Sequence, residues 1–88
     1  MPQSKPSLLI VDDDATKRFA LNAAIEPLGY SVIEAESGIA ALRCVAQQAF
    51  AVILLDVRMP GMDGFETAAL MRKTPTTAMT PIIFITSH

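Results

Sequence analysis

Ala51-Val52-Ile53-Leu54-Leu55-Asp56 is an apolar run closed by a carboxylate, and it decides the fold. Together with Ala49 and Phe50 it forms the longest wholly apolar stretch of the chain, the seven residues Ala49 to Leu55. That length suits a strand covered on both faces, whereas a membrane-spanning helix needs about 20 residues. Three further short runs read as strands: Leu8–Asp12, Ser31–Glu34 and Pro81–Thr86. The starts of the four lie 23, 20 and 30 residues apart, each gap long enough for a crossover helix.

Helical patterns fill those gaps. Leu21, Ile25 and Leu28 fall at i, i+4 and i+7, and Leu42, Val45, Ala46 and Ala49 at i, i+3, i+4 and i+7, each an apolar stripe on one helix face. Pro27 predicts an early end to the first helix, with Gly29 just after it. A third helix is expected over Gly64 to Lys73, opened by Asp63 and Glu66 at capping-box spacing and stopped by Pro75. Strands alternating with helices predict an α/β domain, a doubly wound parallel sheet with helices on both faces. The uninterrupted runs 51–55 and 82–85 are expected to be covered on both sides.

Composition narrows the function. Hydrophobic residues make up 51% of the 88 and charged residues 18%, which argues for one folded domain rather than a disordered chain. A net charge of −2 without a basic patch argues against a nucleic-acid module. Residues 1–7 read as an N-terminal arm without the apolar stretch of a signal peptide, so a cytoplasmic protein without membrane contact is expected. The single Cys44 can form no intrachain disulfide and falls within a helical pattern, where it reads as filler.

In a doubly wound sheet, ligands bind beyond the carboxyl ends of the strands, where the winding reverses. Val11 is followed there by Asp12-Asp13-Asp14, and Leu55 by Asp56. With the first and third strands adjacent, these carboxylates share one crevice and repel unless a cation or proton compensates. Carboxylate oxygens suit Mg²⁺, and a carboxylate beside Mg²⁺ can attack phosphorus to give an acyl phosphate. Asp14, ahead of Ala15-Thr16-Lys17, reads better as a helix N-cap than as a ligand. Asp12 or Asp13 could equally cap or line a turn, and Asp56 could simply end a strand.

The stretch from Asp56 through Arg58-Met59-Pro60-Gly61-Met62-Asp63-Gly64-Phe65-Glu66, taken with Leu8 to Asp14 and with Pro81 to Thr86, closely resembles the receiver domain of two-component response regulators over residues 8–88. The resemblance implies a flavodoxin-like fold and a phosphoacceptor domain rather than a true enzyme. Asp56 would take a phosphoryl group from a phosphohistidine on a sensor histidine kinase or phosphotransfer protein. Asp13, Asp56 and the backbone carbonyl of Arg58 would hold Mg²⁺, and Asp12 a metal-bound water. Thr86 would turn its hydroxyl to the phosphoryl oxygen, while Met59, Pro60 and Gly61 would shape the loop after Asp56. The Arg58 side chain is expected in solvent, and His88 has no catalytic part.

Against the family's five strand–helix units, these residues supply the first four strands and three intervening helices. The fifth strand, the last two helices, the aromatic switch residue and the active-site lysine have no counterpart, and Lys73, at the end of the third helix, cannot replace that lysine. The expectation is an incomplete receiver whose fourth strand is an open edge, so that more sequence follows it or the 88 residues self-associate. The competing function is a receiver-like interaction module that works without phosphorylation. An aspartyl-phosphate hydrolase fits less well, because that class shows Asp-x-Asp after its first strand and the acids here are adjacent. Neither glycine pattern of P-loop or dinucleotide-binding proteins occurs among the four glycines.

Overall fold

The computed structural model describes residues 5–86. Strands β1 (Ser7–Val11), β2 (Ser31–Ala35), β3 (Val52–Asp56) and β4 (Ile82–Ile85) alternate with helices α1 (Ala15–Ile25), α2 (Gly38–Gln47) and α3 (Gly64–Arg72). All pairings are parallel and the order across the sheet is β2-β1-β3-β4. The expected doubly wound sheet is therefore present, with its switch point between β1 and β3. Right-handed crossovers place α1 on one face and α2 and α3 on the other.

Strand alternation sorts the core. Leu9, Val11, Ile53 and Leu55 pack with Ala41 and Val45 of α2 and with Ala68 and Met71 of α3 in one cluster. The alternate residues Leu8 and Ile10 point to the α1 face and are also buried. Cys44 is half-buried against the main cluster, in keeping with a filler role.

Boundaries shift where backbone pairing outweighs side-chain character. Ser7, expected in the arm, is the first residue of β1: it pairs with Ser31, and its carbonyl accepts from the Ala51 amide at 2.7 Å. β2 extends to Ala35, which pairs with Val11. Asp12, Ala51, Pro81 and Thr86 lie just outside the strands. The third helix ends at Arg72, three residues before Pro75, with Lys73 as its C-cap.

Three expectations need correcting. Leu28 is 69% exposed rather than part of a packed stripe, because Pro27 turns Glu26–Leu28 into a 3-10 segment and moves Leu28 off the α-helical face. In α2 the buried line is Gly38, Ala41 and Val45; Ala46 is exposed, and Ala49 lies beyond the helix end. β4 is not covered on both sides: Ile83 is 54% and Phe84 41% exposed, because the described helices do not close over both faces of this edge strand. Phe84 rests on Phe65 of α3, with ring centroids 5.0 Å apart. No described helix is long and apolar enough to cross a membrane. Residues 1–4 of the expected arm and His88 lie outside the described residues.

Candidate functional site

Register alone brings the acids together. Val11 and Leu55 are partners across β1 and β3, so the next residue on each chain, Asp12 and Asp56, emerges side by side at the carboxyl edge of the sheet. Both are buried, at 0% and 1% exposure. Asp13 is exposed, and one oxygen from each of Asp12, Asp13 and Asp56 falls within 4.8 Å of the others. Three carboxylates so close suit a hard divalent cation that takes oxygen ligands and keeps part of its water. The donor set present fits Mg²⁺.

Local hydrogen bonds hold the carboxylates in place. Asp12 Oδ1 accepts from the Asp14 amide at 2.9 Å, and Asp56 Oδ1 from the Arg58 amide at 3.3 Å. Arg18 donates from Nη1 to the Asp12 carbonyl at 2.6 Å and from Nε to Glu34 at 3.1 Å. Glu34 also accepts from Asn22, so α1 is bound to β2 while it fixes the peptide of Asp12. Asp14 does not join the cluster; its carboxylate caps α1 by accepting from the Thr16 amide at 2.9 Å.

The loop after Asp56 is anchored rather than loose. Met59 is buried in the main core, and Gly61 takes the left-handed conformation at φ 76°, which a glycine adopts without strain. Asp63 and Glu66 form the capping box of α3, with the Asp63 carboxylate accepting from the Glu66 amide at 2.8 Å and the Glu66 carboxylate from the Asp63 amide at 3.1 Å. The Gly64 amide donates to the Val57 carbonyl at 2.9 Å, laying the start of α3 directly on the peptide that follows Asp56. Arg58 is exposed, as expected. Thr86 is exposed at the same edge of the sheet, directly after Ile85, the register partner of Asp56. Lys73 sits at the opposite end of α3 from Gly64, a full nine-residue helix away, about 13 Å of axial rise.

Lys17 is the site residue that sequence reasoning missed. Its Nζ lies 3.1 Å from Asp12 Oδ2 and 3.9 Å from Asp56 Oδ2. Partial burial pulls its pKa down. The hydrogen bond to Asp12 and the charges of Asp12, Asp56 and Asp14 outweigh that pull and hold it above 10.5. The ammonium is charged throughout the physiological range. A signal for it existed: with Asp14 as N-cap, Lys17 is the third helical residue, on the turn that rises directly from the end of β1.

A doubly wound sheet with a buried acidic cluster at its switch point defines a class of phosphoryl- and metal-handling domains. The sequence pattern of the response regulator receiver domain matches residues 8–88, and the chain belongs to that family. It is similar to the protein PilH of Pseudomonas aeruginosa, at 35% identity over 80 residues covering 91% of this chain and 66% of that protein. It is also similar to the sensor protein GacS of Pseudomonas syringae, at 35% identity over 86 residues covering 94% of this chain and 10% of the sensor. The chain thus spans about two thirds of the length of PilH and about a tenth of that of GacS. Among solved structures, the chemotaxis protein CheY4 of Vibrio cholerae superposes with a TM-score of 0.91 at 33% identity, over 97% of this chain and 71% of that one. The response regulator TrrA of Thermotoga maritima, solved in complex with Mg²⁺-BeF, superposes with a TM-score of 0.87 at 31% identity, over 94% of this chain and 70% of that one.

Proposed function

We propose that this receiver domain is a phosphoacceptor, with Asp56 as the residue that takes the phosphoryl group. The observation that carries this reading is the meeting of Asp12, Asp13 and Asp56 within 4.8 Å at the switch point. One Asp56 carboxylate oxygen would attack phosphorus in line. The bond to the donor, the imidazole nitrogen of a phosphohistidine on a sensor kinase or phosphotransfer protein, would break as the Asp56 O–P bond forms, leaving the electron pair on the imidazole. Asp13 and Asp56, with the Arg58 carbonyl, would hold Mg²⁺, and Asp12 would hold one of its waters. The metal supplies charge neutralisation for the non-bridging oxygens. Thr86, beside the partner of Asp56 in β4, would offer its hydroxyl to a phosphoryl oxygen and so couple the modification to the end of that strand. The residues ahead of β1 would serve as an arm to the receiver domain, in the cytoplasm.

Acetyl phosphate with Mg²⁺ tests this directly. A single hydroxylamine-labile phosphate per chain is expected, formed only with the metal, and Mg²⁺ alone should shift amide resonances around residues 12–14 and 56–58. Uptake of phosphate without metal, or shifts clustered elsewhere, would overturn the reading.

The open side of β4 carries a second consequence. Ile83 and Phe84 stand exposed on a strand that pairs, among the described residues, only with β3, an arrangement that invites strand pairing with another chain. The 88-residue chain is expected to self-associate with concentration in light scattering. A constant monomer mass up to millimolar concentration would remove that expectation.

A further inference from the structure

The acidic pocket already contains a cation. Lys17 reaches both buried carboxylates through their Oδ2 atoms, at 3.1 Å to Asp12 and 3.9 Å to Asp56, the two residues that with Asp13 form the cluster suited to a divalent ion. Its position runs against local preference. The third residue of a helix lies at the positive end of the helix dipole, where a basic side chain is disfavoured and acids are stabilised; α1 has no acid in its first turn. The lysine is held there by its ion pairs to Asp12 and Asp56, with the charge of the Asp14 cap adding to them. Its side chain is 30% exposed, while those of Asp12 and Asp56 are 0% and 1% exposed. The acids are therefore fixed, and the lysine sits at the mouth of the pocket on a flexible stem with a path to water.

We propose that Lys17 is an internal counter-ion that competes with the divalent metal for Asp12 and Asp56, and so sets how much metal the domain needs before it can accept a phosphoryl group. This inference rests on the reading of the acidic cluster as the metal site. Without metal, the ammonium offsets part of the like-charge repulsion among the three carboxylates and keeps the pocket compatible with a folded, buried edge. A divalent ion brings twice the charge to the same carboxylates and repels an ammonium a few ångströms away, so the two compete for Asp12 and Asp56. Lys17 then swings into solvent as the metal enters, and its lost ion pairs subtract from the metal's apparent affinity. Two states of the pocket follow, one closed by Lys17 and one loaded with metal, their balance set by metal concentration. Asp13, exposed and without a part in the Lys17 ion pairs, is the carboxylate through which an incoming ion first engages the pocket.

The test is metal affinity, read from amide shifts during Mg²⁺ titration of the full chain and repeated with Mn²⁺ by relaxation enhancement. Lys17→Met keeps the apolar stem and removes the charge; Lys17→Gln does so with a polar end; Lys17→Arg keeps the charge. Both neutral variants are expected to bind Mg²⁺ at least about tenfold more tightly, and Lys17→Arg to stay near the parent. In the parent, the Lys17 Nζ resonance should move with the same midpoint as the Asp12 and Asp56 amides. Equal or weaker affinity in both neutral variants overturns the competition. Asp13→Asn separates the two readings: if it abolishes the metal-induced shifts while Lys17→Met leaves affinity unchanged, the metal site stands and only the role of Lys17 falls. If the shifts survive in Asp13→Asn, the metal site itself is misassigned and the inference falls with it.

Discussion

Asp56→Asn leaves the chain folded and unable to take up phosphate from acetyl phosphate. Asparagine fills the same volume and its Oδ1 can still accept the Arg58 amide, so the turn after β3 survives. The amide has no anionic oxygen to attack phosphorus and no charge to hold a divalent ion, so hydroxylamine-labile phosphate should fall from a single equivalent to background. Stability without metal should stay level or rise, because the substitution removes one of three mutually repelling carboxylates from a nearly dry site. That pairing of lost chemistry with retained stability is what a functional acid among like charges predicts, whereas replacing a carboxylate that only ended a strand would leave phosphate uptake unchanged. Asp14→Asn is the control: asparagine caps a helix as well as aspartate does, and Asp14 faces the Thr16 amide rather than the cluster. Phosphate persisting in the Asp56 variant, or lost from the Asp14 variant alone, would move the nucleophile elsewhere.

The sheet was legible because its four apolar runs are short, bounded and spaced for crossovers, and the site because adjacent parallel strands that both end in aspartate must meet. Charge on helices was harder to place. Lys17 looks like an ordinary surface residue until Asp14 is known to be the cap, for only then does its turn of α1 stand over the end of β1. Arg18 hides in the same way; its bonds tie α1 to Glu34 of β2 and to the Asp12 carbonyl just past β1, and no local pattern encodes that. Leu28 shows the opposite failure. Its spacing from Leu21 and Ile25 was helical, but periodicity carries over only while the helix does, and Pro27 had already ended it. In β4, runs such as Ile82-Ile83-Phe84-Ile85 reveal a wish to be covered without revealing what covers them.

Gly64→Ala should be the most damaging glycine substitution in the domain, and the geometry explains why. A Cβ at Gly64 would run into the Asp56 carbonyl oxygen and stand 2.8 Å from the Val57 Cα and 3.0 Å from the Asp56 carbonyl carbon. All three are backbone atoms of β3 and its exit, and none can rotate away. Relief requires lifting α3 off the peptide that carries Asp56, breaking the Gly64–Val57 hydrogen bond and easing the Thr67, Ala68 and Met71 contacts below it. Overpacking of this kind costs about 3 kcal/mol. Two other glycines calibrate the effect. At Gly61 the added methyl meets nothing within 4 Å and the penalty is only that of a left-handed alanine, about 1–2 kcal/mol. At Gly38 it meets the Thr67 hydroxyl and the Met62 thioether, side-chain atoms that can turn aside at the expense of the Thr67 bond to the Asp63 carbonyl. Urea denaturation should therefore rank the alanine variants Gly64 worst, Gly38 between and Gly61 mildest. Because the displaced peptide belongs to the phosphoacceptor, Gly64→Ala should also weaken Mg²⁺-induced shifts at residues 56–58 under conditions where the variant is still folded. A Gly64 variant as stable as the Gly61 variant would mean that α3 is not seated on Asp56.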